Sequence, residues 1–184
     1  MSPIYEVRHE LEPGTLKKDI VGLYSEILSQ SPFRFLQSDS GTFSSGLEKH
    51  ATREGFKLCT AKDGEGRIIG FSYGYRGLPD HWWHRNVSRF FLSHEIDEWM
   101  IDYFEFVELG VHPDFRGAGV GTTLHDKLLE GLPYRTAMLS TQAENTASIR
   151  LYEKRRWVLV KNNITFPGSD VLWVIMGRKL GSDQ

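Results

Sequence analysis

Two carboxylates lie upstream of a glycine-rich turn. Glu105 and Glu108 belong to the hydrophobic segment 103–111, YFEFVELGV, which precedes three glycines within the five positions 117–121. A positioned carboxylate can take a proton from a reacting group, directly or through water, and so act as a general base. On an ideal strand, residues three apart face opposite sides of the sheet, although a β-bulge changes this facing. The segment therefore offers two candidate bases.

The glycines lie where a predicted strand gives way to a predicted helix. After them, Val120, Leu124 and Leu128 recur at every fourth position, which is the spacing of a helix with one buried stripe. The first N–H groups of a helix have no partner inside it, and glycine lets an anion approach them closely. We therefore expect this turn to bind phosphate oxygens. The alternative is a tight turn without a ligand.

Two common phosphate-binding motifs do not describe this turn. A Walker loop ends in Gly-Lys followed by Ser or Thr, and no such lysine follows here. The dinucleotide fingerprint needs G-x-G-x-x-G, whereas Gly117, Gly119 and Gly121 form G-x-G-x-G. A phosphate ligand is therefore expected through a different fold.

Histidines and a single cysteine are the other candidates for chemistry. The segment 81–84, HWWH, followed by His94 and Glu95, suggests a metal, but the spacing fixes no third ligand and H-E-x-x-H is absent. Cys59 is the one cysteine, which excludes a disulfide framework, and its position on a predicted strand places it in the core. We expect neither a metal nor covalent catalysis.

The order of the other segments predicts an α+β protein. Strands are predicted at 4–10, 56–63, 67–77, 103–111, 136–142, 157–166 and 171–179, and helices at 16–28 with Thr15 as N-cap, at 44–55, after the glycines, and at 145–155. Residues 31–43 are predicted to be a loop, and residues 77–102 to be irregular and rich in aromatic side chains. We expect one domain over residues 1–184.

Composition limits the classes of partner. The chain has 184 residues, 40% of them hydrophobic, which is enough for a globular core. Its net charge of −2 provides no basic field for nucleic acid. No segment approaches the roughly 18 apolar residues of a membrane span, and the N-terminus lacks the apolar core of a signal peptide. We expect a cytoplasmic protein that binds neither nucleic acid nor membrane, and we allow for a homodimer.

Two segments carry a family resemblance. Residues 116–121, RGAGVG, resemble the R/Q-x-x-G-x-G/A signature of the GNAT superfamily of acetyl-CoA-dependent N-acetyltransferases. Residues 144–158, ENTASIRLYEKRRWV, resemble the family's N-x-x-[SA]-x-x-L-Y-x-x-x-G-F element, except that Arg155-Arg156-Trp157 stands where a glycine usually precedes an aromatic residue. The resemblance implies a central, mostly antiparallel twisted sheet of six to seven strands, splayed at the signature strand, with helices on both faces.

The resemblance also implies roles for particular residues. It favours Glu105, fourteen positions before Gly119, as the base, with Glu108 as the alternative. It directs the Tyr152 hydroxyl at the coenzyme sulfur as a proton donor, packing being the alternative role, and it implies that an N–H near 109–111 polarises the thioester carbonyl. The implied coenzyme-binding residues are Leu109, Gly110, Val111, Arg116, Gly117, Ala118, Gly119, Val120, Gly121, Thr122, Asn145, Ser148 and Tyr152.

The segment 77–102 occupies the position where this family encloses the acceptor. Its predicted acceptor-binding residues are Trp82, Trp83, Glu95 and Trp99, with packing of an extra helix as the alternative. The expected reaction moves the acetyl group of acetyl-CoA to a primary amine of a small molecule, by direct attack in a ternary complex. The alternatives are a protein or peptide acceptor, a non-catalytic acyl-CoA sensor, and a nucleotide-dependent phosphotransferase.

Overall fold

Seven strands and six α-helices form within the residues that the computed structural model describes, which are 2–12, 14–30 and 40–181. Most of the predicted loop over 31–43 lies outside those residues. The strands are β1 Ile4–Arg8, β2 Lys57–Lys62, β3 Ile68–Arg76, β4 Tyr103–Val111, β5 Thr136–Gln142, β6 Val158–Ile164 and β7 Trp173–Lys179. The helices are α1 Thr15–Ser29, α2 Ser40–Ala51, α3 Trp82–Val87, α4 Ser93–Trp99, α5 Val120–Leu129 and α6 Thr146–Glu153.

The strands hydrogen-bond in the order β1-β2-β3-β4-β5-β7-β6. The β1–β2, β2–β3, β5–β7 and β6–β7 pairs are antiparallel, whereas β4 and β5 are parallel. A mostly antiparallel sheet of seven strands with helices confirms the predicted α+β class. None of the helices among the described residues has the length and apolar character needed to span a bilayer.

The chain divides into two compact units. The first unit comprises Met1–Tyr75 and Val107–Glu130, and the second comprises Arg76–Phe106 and Gly131–Gln184. The two units share β4, which contributes its second half to the first unit and its first half to the second. One domain over residues 1–184 therefore stays a prediction.

The first unit is built on β1, β2, β3 and the helices α1, α2 and α5. Helix α1 buries Ile20, Leu23 and Tyr24, and the Tyr24 ring stacks on Phe43 of α2 at a centroid distance of 3.8 Å. The predicted N-cap was one residue off, because Thr15 is already helical and Gly14, with a φ of 122°, precedes it without a side-chain cap. A glycine suits this backbone conformation, and the sequence pattern did not reveal it.

The second unit contains a correction to the predicted irregular segment 77–102. Two short helices form there, α3 and α4, and they bury Trp83, Val87 and Trp99 against Met138 and Ile175 of the sheet. Each helix has at most two turns, so its buried positions recur too few times to produce a periodic signal in the sequence. Side-chain burial, rather than helix propensity, holds these turns in place.

Candidate active site

The glycine turn adopts a backbone that requires glycine. Strand β4 ends at Val111, a short 3₁₀ turn covers Pro113–Phe115, and α5 begins at Val120 with Gly119 as its N-cap. Gly117 has a φ of 76° and Gly119 a φ of 84°, both in the left-handed region that side chains with a Cβ rarely adopt. Both the backbone conformation and the close approach of a ligand therefore favour glycine at these two positions.

The N–H groups of six consecutive residues, 117–122, are available to a ligand. In the part of the chain that the structure describes, these groups donate to no acceptor, and the first paired N–H is that of Thr123, which donates to the Gly119 carbonyl at 3.0 Å. Residues 117–119 are exposed, and a Cβ built on either positive-φ glycine would meet nothing within 4 Å. Unpaired amides in open space at the positive end of a helix suit the oxygens of a phosphate group.

Close packing holds α5 in position behind this turn. Val120 and Leu124 are buried in the first unit, and Gly70 of β3 lies directly beneath them. A Cβ on Gly70 would come within 2.8 Å of Leu124 Cδ1. The Ser72 hydroxyl donates to the Leu124 carbonyl at 3.1 Å, so both packing and a hydrogen bond tie α5 to β3.

His112 anchors the entry to the turn, and sequence reasoning did not identify it. Its N–H donates to the Ile69 carbonyl at 2.8 Å, and its Nδ1 accepts from the Asp114 N–H at 3.2 Å. Its Nε2 lies 3.1 Å from Glu26 Oε2 of α1. The available signal was Pro113 directly after His112, because proline is common at the first position of a helical turn.

Strand β4 contains one residue more than its neighbour β3 over the same length. The His112 N–H bonds to the Ile69 carbonyl, and the Gly77 N–H bonds to the Tyr103 carbonyl at 2.9 Å. From residue 103 to 112 there are nine steps, against eight from residue 69 to 77. An extra residue in one strand of an antiparallel pair is a β-bulge, so the structure has the bulge that the sequence analysis allowed for.

Glu108 is partly exposed, and its carboxyl has a raised pKa. Its side chain is half-buried on β4, and desolvation raises the pKa of its carboxyl to about 7, although a hydrogen bond with the Leu109 backbone lowers it. A carboxyl with a pKa near neutrality can accept a proton and return it under ordinary conditions, which is the property that a general base needs.

Glu105 lies in a different environment from Glu108. Only 4% of its surface is exposed, and it belongs to the second unit, where its backbone is in register with Met138 of β5. The structure thus separates the two candidate bases by burial, and their relative roles remain a prediction.

Close packing at the end of β4 explains why residue 110 is a glycine. A Cβ on Gly110 would approach Ile27 Cδ1 and Phe71 Cε1 to 2.9 Å each, so the glycine allows α1 to pack closely. The guanidinium Nε of Arg116 donates to the Val111 carbonyl at 3.3 Å and so holds the turn to the end of the strand. A role for the N–H groups of 109–111 toward a thioester carbonyl stays a prediction.

Helix α6 contains the remaining predicted coenzyme and catalytic residues. Asn145 is its N-cap, and the Asn145 side-chain oxygen accepts from the Ser148 N–H at 3.2 Å. The Tyr152 ring is buried edge-on to Phe106 at 6.0 Å and lies 5.7 Å from the Trp157 ring. The cap and the aromatic contacts fix both ends of the helix within the second unit.

The departure from the family motif at Arg156 has a structural consequence. The Trp157 N–H donates to the Tyr152 carbonyl at 3.1 Å and the Arg156 N–H to the Glu153 carbonyl at 3.1 Å, which is the Schellman pattern of a helix C-terminus. Arg156 takes its left-handed position with a φ of 64°. An arginine therefore occupies the conformation that a glycine adopts without strain.

Comparison with known proteins agrees with this geometry. The family model described as Acetyltransferase (GNAT) family matches residues 20–156. The chain belongs to the GNAT acetyltransferase family. Its members are acyltransferases that use acetyl-CoA.

Individual relatives of this GNAT chain share its sequence or its fold. A GCN5-like protein acetyltransferase of Mycobacterium tuberculosis is 31% identical over 121 residues, which is 61% of this chain and 59% of that protein. The chain thus matches less than two thirds of that relative's length. The ribosomal-protein-S18-alanine N-acetyltransferase of Escherichia coli superposes with a TM-score of 0.62 at 17% identity, covering 98% of this chain and 99% of that chain. A Salmonella typhimurium protein solved with its cofactor acetyl-CoA superposes with a TM-score of 0.63 at 15% identity, covering 98% and 96%.

Within this GNAT chain, the predicted acceptor-binding residues have different degrees of access. Trp83 is buried and its Nε1 donates to Ser140 Oγ at 3.1 Å, and Trp99 is buried in the same core cluster. The Glu95 carboxylate pairs with Lys161 Nζ at 2.6 Å. Trp82 is 50% exposed. Trp82 is therefore the most accessible of the three tryptophans. Binding of an acceptor by these four residues stays a prediction.

Two of the histidines considered as metal ligands, and the cysteine, have local structural roles in this GNAT chain. Among the described residues, no group of three or more His, Cys, Asp or Glu side chains could hold a metal ion. His81 Nδ1 accepts from the Leu78 N–H at 3.3 Å, and His84 Nδ1 lies 3.2 Å from the Tyr103 hydroxyl. Cys59 is fully buried, and desolvation raises the pKa of its thiol to about 11, so the thiol stays protonated at neutral pH.

Proposed function

We propose that this GNAT chain transfers the acetyl group of acetyl-CoA to a primary amine of a small molecule, by direct attack in a ternary complex. The row of six unpaired N–H groups at 117–122 carries the proposal, because it suits a pyrophosphate and lies in the family's signature. The net charge of −2 argues against an acceptor surface that recognises acidic macromolecules. The relative from M. tuberculosis, named a protein acetyltransferase, makes a protein amine the competing acceptor.

The first unit supplies the residues that would hold the coenzyme pyrophosphate. The N–H groups of 117–122 would donate to its oxygens, and Arg116 lies at the start of the turn. Ala118 is exposed at the middle of the turn and has an ordinary backbone conformation. When bound, acetyl-CoA supplies the acetyl group as an activated thioester. On the basis of the family motif, Asn145 and Ser148 also remain proposed coenzyme-binding residues.

Glu108 is our choice for the base. A primary amine resembling that of lysine has a pKa near 10 and is protonated at neutral pH, so it must lose a proton before it can attack. The Glu108 carboxyl has a pKa of about 7 and is half-buried, so it is both reachable and able to accept that proton. Glu105, with 4% of its surface exposed, is the second candidate.

Tyr152 is proposed to protonate the departing sulfur. A phenol with a pKa near 10 is protonated at neutral pH and needs no special environment to act as an acid. Contacts with Phe106 and Trp157 orient its ring in the second unit. An N–H within 109–111 is proposed to stabilise the charge that develops on the carbonyl oxygen during attack.

A panel of acceptors tests the proposal. Acetyl-CoA is supplied with amines, amino acids, polyamines, aminoglycosides and peptides, and release of free coenzyme A is measured for wild type and for Ala118→Glu. We expect release that depends on a small amine and that is lower in the variant at limiting acetyl-CoA, because its carboxylate repels the pyrophosphate. Release that occurs with peptides alone would contradict the small-molecule assignment, and slow release that no amine accelerates would contradict the transferase assignment.

A further inference from the structure

Two N–H donors are buried at the end of the sheet in the second unit without an acceptor. Gln142 ends β5 and Trp173 begins β7, and their register places them directly opposite each other. Opposed residues of an antiparallel pair project from the same face, with Cβ atoms about 5 Å apart. Gln142 Nε2 and Trp173 Nε1 are both shielded from solvent, and neither has a hydrogen-bond partner in the part of the chain described. Only 4% of the Gln142 surface is exposed.

A neighbouring indole shows what a satisfied donor looks like on this face. Ser140 lies two residues before Gln142 on β5, so it projects from the same face, and its hydroxyl accepts from Trp83 Nε1 at 3.1 Å. Native proteins pair almost all of their buried donors, and an indole N–H can only donate. Two unpaired donors on directly opposed residues therefore indicate an acceptor atom that another molecule supplies.

An aromatic row leads from solvent to these donors. The Phe166 ring meets Trp173 edge-on at 5.5 Å, and the Trp82 ring stacks on Phe166 at 5.4 Å with an interplanar angle of 28°. Trp82 is 50% exposed. A turn positions Phe166, because the Ser169 N–H donates to the Phe166 carbonyl at 3.1 Å and Gly168 takes a φ of 78° between them.

We propose that these groups form a subsite for an acceptor amine that carries a carbonyl oxygen beside a flat apolar group. The inference rests on the proposed N-acetyltransferase function and names its acceptor class. One carbonyl oxygen has two lone pairs and can accept from both Gln142 Nε2 and Trp173 Nε1. The flat group takes the place of the exposed Trp82 ring on Phe166, so that one stacking contact replaces another and the donors open to the ligand.

Indole N–H signals of the full-length, ¹⁵N-labelled protein test the subsite directly. The chain has five tryptophans, and the Trp173 signal is the one that Trp173→Phe removes. Phenylalaninamide offers an amine, a carbonyl and a ring, whereas phenethylamine lacks the carbonyl and alaninamide lacks the ring. We expect phenylalaninamide to move the Trp173 indole proton downfield and to bind about 10-fold more tightly than either partial probe.

Gln142→Met provides a variant that separates binding from structure. It keeps the length of the side chain and removes a donor that has no partner, so we expect an unchanged or higher melting temperature. Phenylalaninamide should bind this variant and Trp173→Phe about 10-fold more weakly. Trp157→Phe, which removes another buried indole of the second unit, is the matched control and should retain the wild-type affinity.

Three outcomes would overturn the subsite. A downfield shift of the Trp173 proton with coenzyme A alone would assign the donors to the amide carbonyls of the coenzyme. A shift of that proton and a lower melting temperature in Gln142→Met, without any response to the probes, would mean that the two side chains bond each other. Equal affinity for all three probes would remove the proposed selectivity.

Turnover separates this inference from the proposed function. Acetylation of other amines without any response of the Trp173 signal to phenylalaninamide would refute the subsite and leave the transferase intact. A Trp173 response with no acetyl transfer to any amine would refute the transferase and leave a site for carbonyl-bearing aromatic compounds.

Discussion

At the scale of single residues, the acidity of Glu108 decides how the base is tested. A carboxyl with a pKa of about 7 is ionised above that pH, so wild-type turnover should rise as pH passes through about 7. Glu108→Gln should remove this limb of the profile and lower turnover near neutrality by about 10²-fold, with partial recovery at high pH, where more free amine exists. Steady-state rates from pH 6 to 9 measure the effect. Glu105→Gln is the control, and loss of the limb in that variant instead would transfer the role to Glu105.

Ionisation of Glu108 should lower the free energy of unfolding of the protein. Its pKa is raised from 4.5 to about 7 on folding, so the stability that this shift contributes is present below pH 4.5 and is lost as pH rises through 7. The free energy of unfolding of Glu108→Gln should therefore exceed that of wild type by up to about 3 kcal/mol at pH 8. This difference should disappear near pH 4.5. Denaturant titrations at the two pH values measure the difference. A variant that is less stable than wild type at pH 8 would contradict the raised pKa.

Tyr152 offers a second test at the residue scale. Tyr152→Phe retains the ring contacts with Phe106 and Trp157 and removes only the hydroxyl. A proton donor predicts lower turnover, nearly unchanged coenzyme A affinity, and loss of the decline in rate at high pH. Rate profiles and calorimetry of the variant measure these three quantities. Survival of both turnover and pH dependence would leave Tyr152 with a packing role.

Sequence patterns identified some of these residues and could not identify others. The glycine turn is a local feature, so its residue types and spacing predicted it. The sequence placed Asn145 inside a predicted helix, and its position as the N-cap of α6 came from the structure. The pKa of Glu108 depends on the side chains that surround it, and the role of His112 depends on Glu26 and Ile69, which are distant in sequence. Such tertiary effects leave no signal in the local sequence.

At the scale of elements, the C-terminus of α6 contains a strained residue. Arg156 occupies the left-handed position of a Schellman motif, where a residue with a Cβ costs roughly 1 kcal/mol. Arg156→Gly should stabilise the protein by about 1 kcal/mol and raise the melting temperature by roughly 2–4 °C. Thermal unfolding measures this shift. Arg155→Gly, at a neighbouring position without a positive φ, is the matched control and should lower the melting temperature; a lower value for Arg156→Gly as well would refute the strain.

The elements that the sequence predicted are those with repeated periodicity. Helices α1, α5 and α6 were predicted because their buried residues recur over several turns or follow a motif. Helices α3 and α4 were missed because they are six and seven residues long and depend on tertiary packing. Strands were predicted well, since alternation and tight turns such as the one at Gly66 mark their ends.

At the scale of the whole molecule, element order and two motifs were sufficient to predict the α+β class and the family. The division into two compact units was not predicted, because β4 runs through both units and no linker marks a boundary. The proposed acceptor-binding residues could not be grouped from sequence, because those of α3, α4 and the β6–β7 turn come together only in the folded second unit.

The binding of coenzyme A at the glycine turn tests the central claim most directly. Calorimetric titrations compare coenzyme A with pantetheine, which lacks the pyrophosphate, on wild type, Ala118→Glu and the neutral control Ala118→Gln. Ala118 is exposed and has an ordinary φ, so neither substitution strains the fold. We predict that wild type binds coenzyme A much more tightly than pantetheine. Ala118→Glu should lower the affinity for coenzyme A by at least about 10-fold and leave the affinity for pantetheine unchanged. Ala118→Gln should lower the affinity for coenzyme A less than Ala118→Glu does. Equal coenzyme A affinity in all three folded proteins would contradict the assignment of the pyrophosphate to residues 117–122.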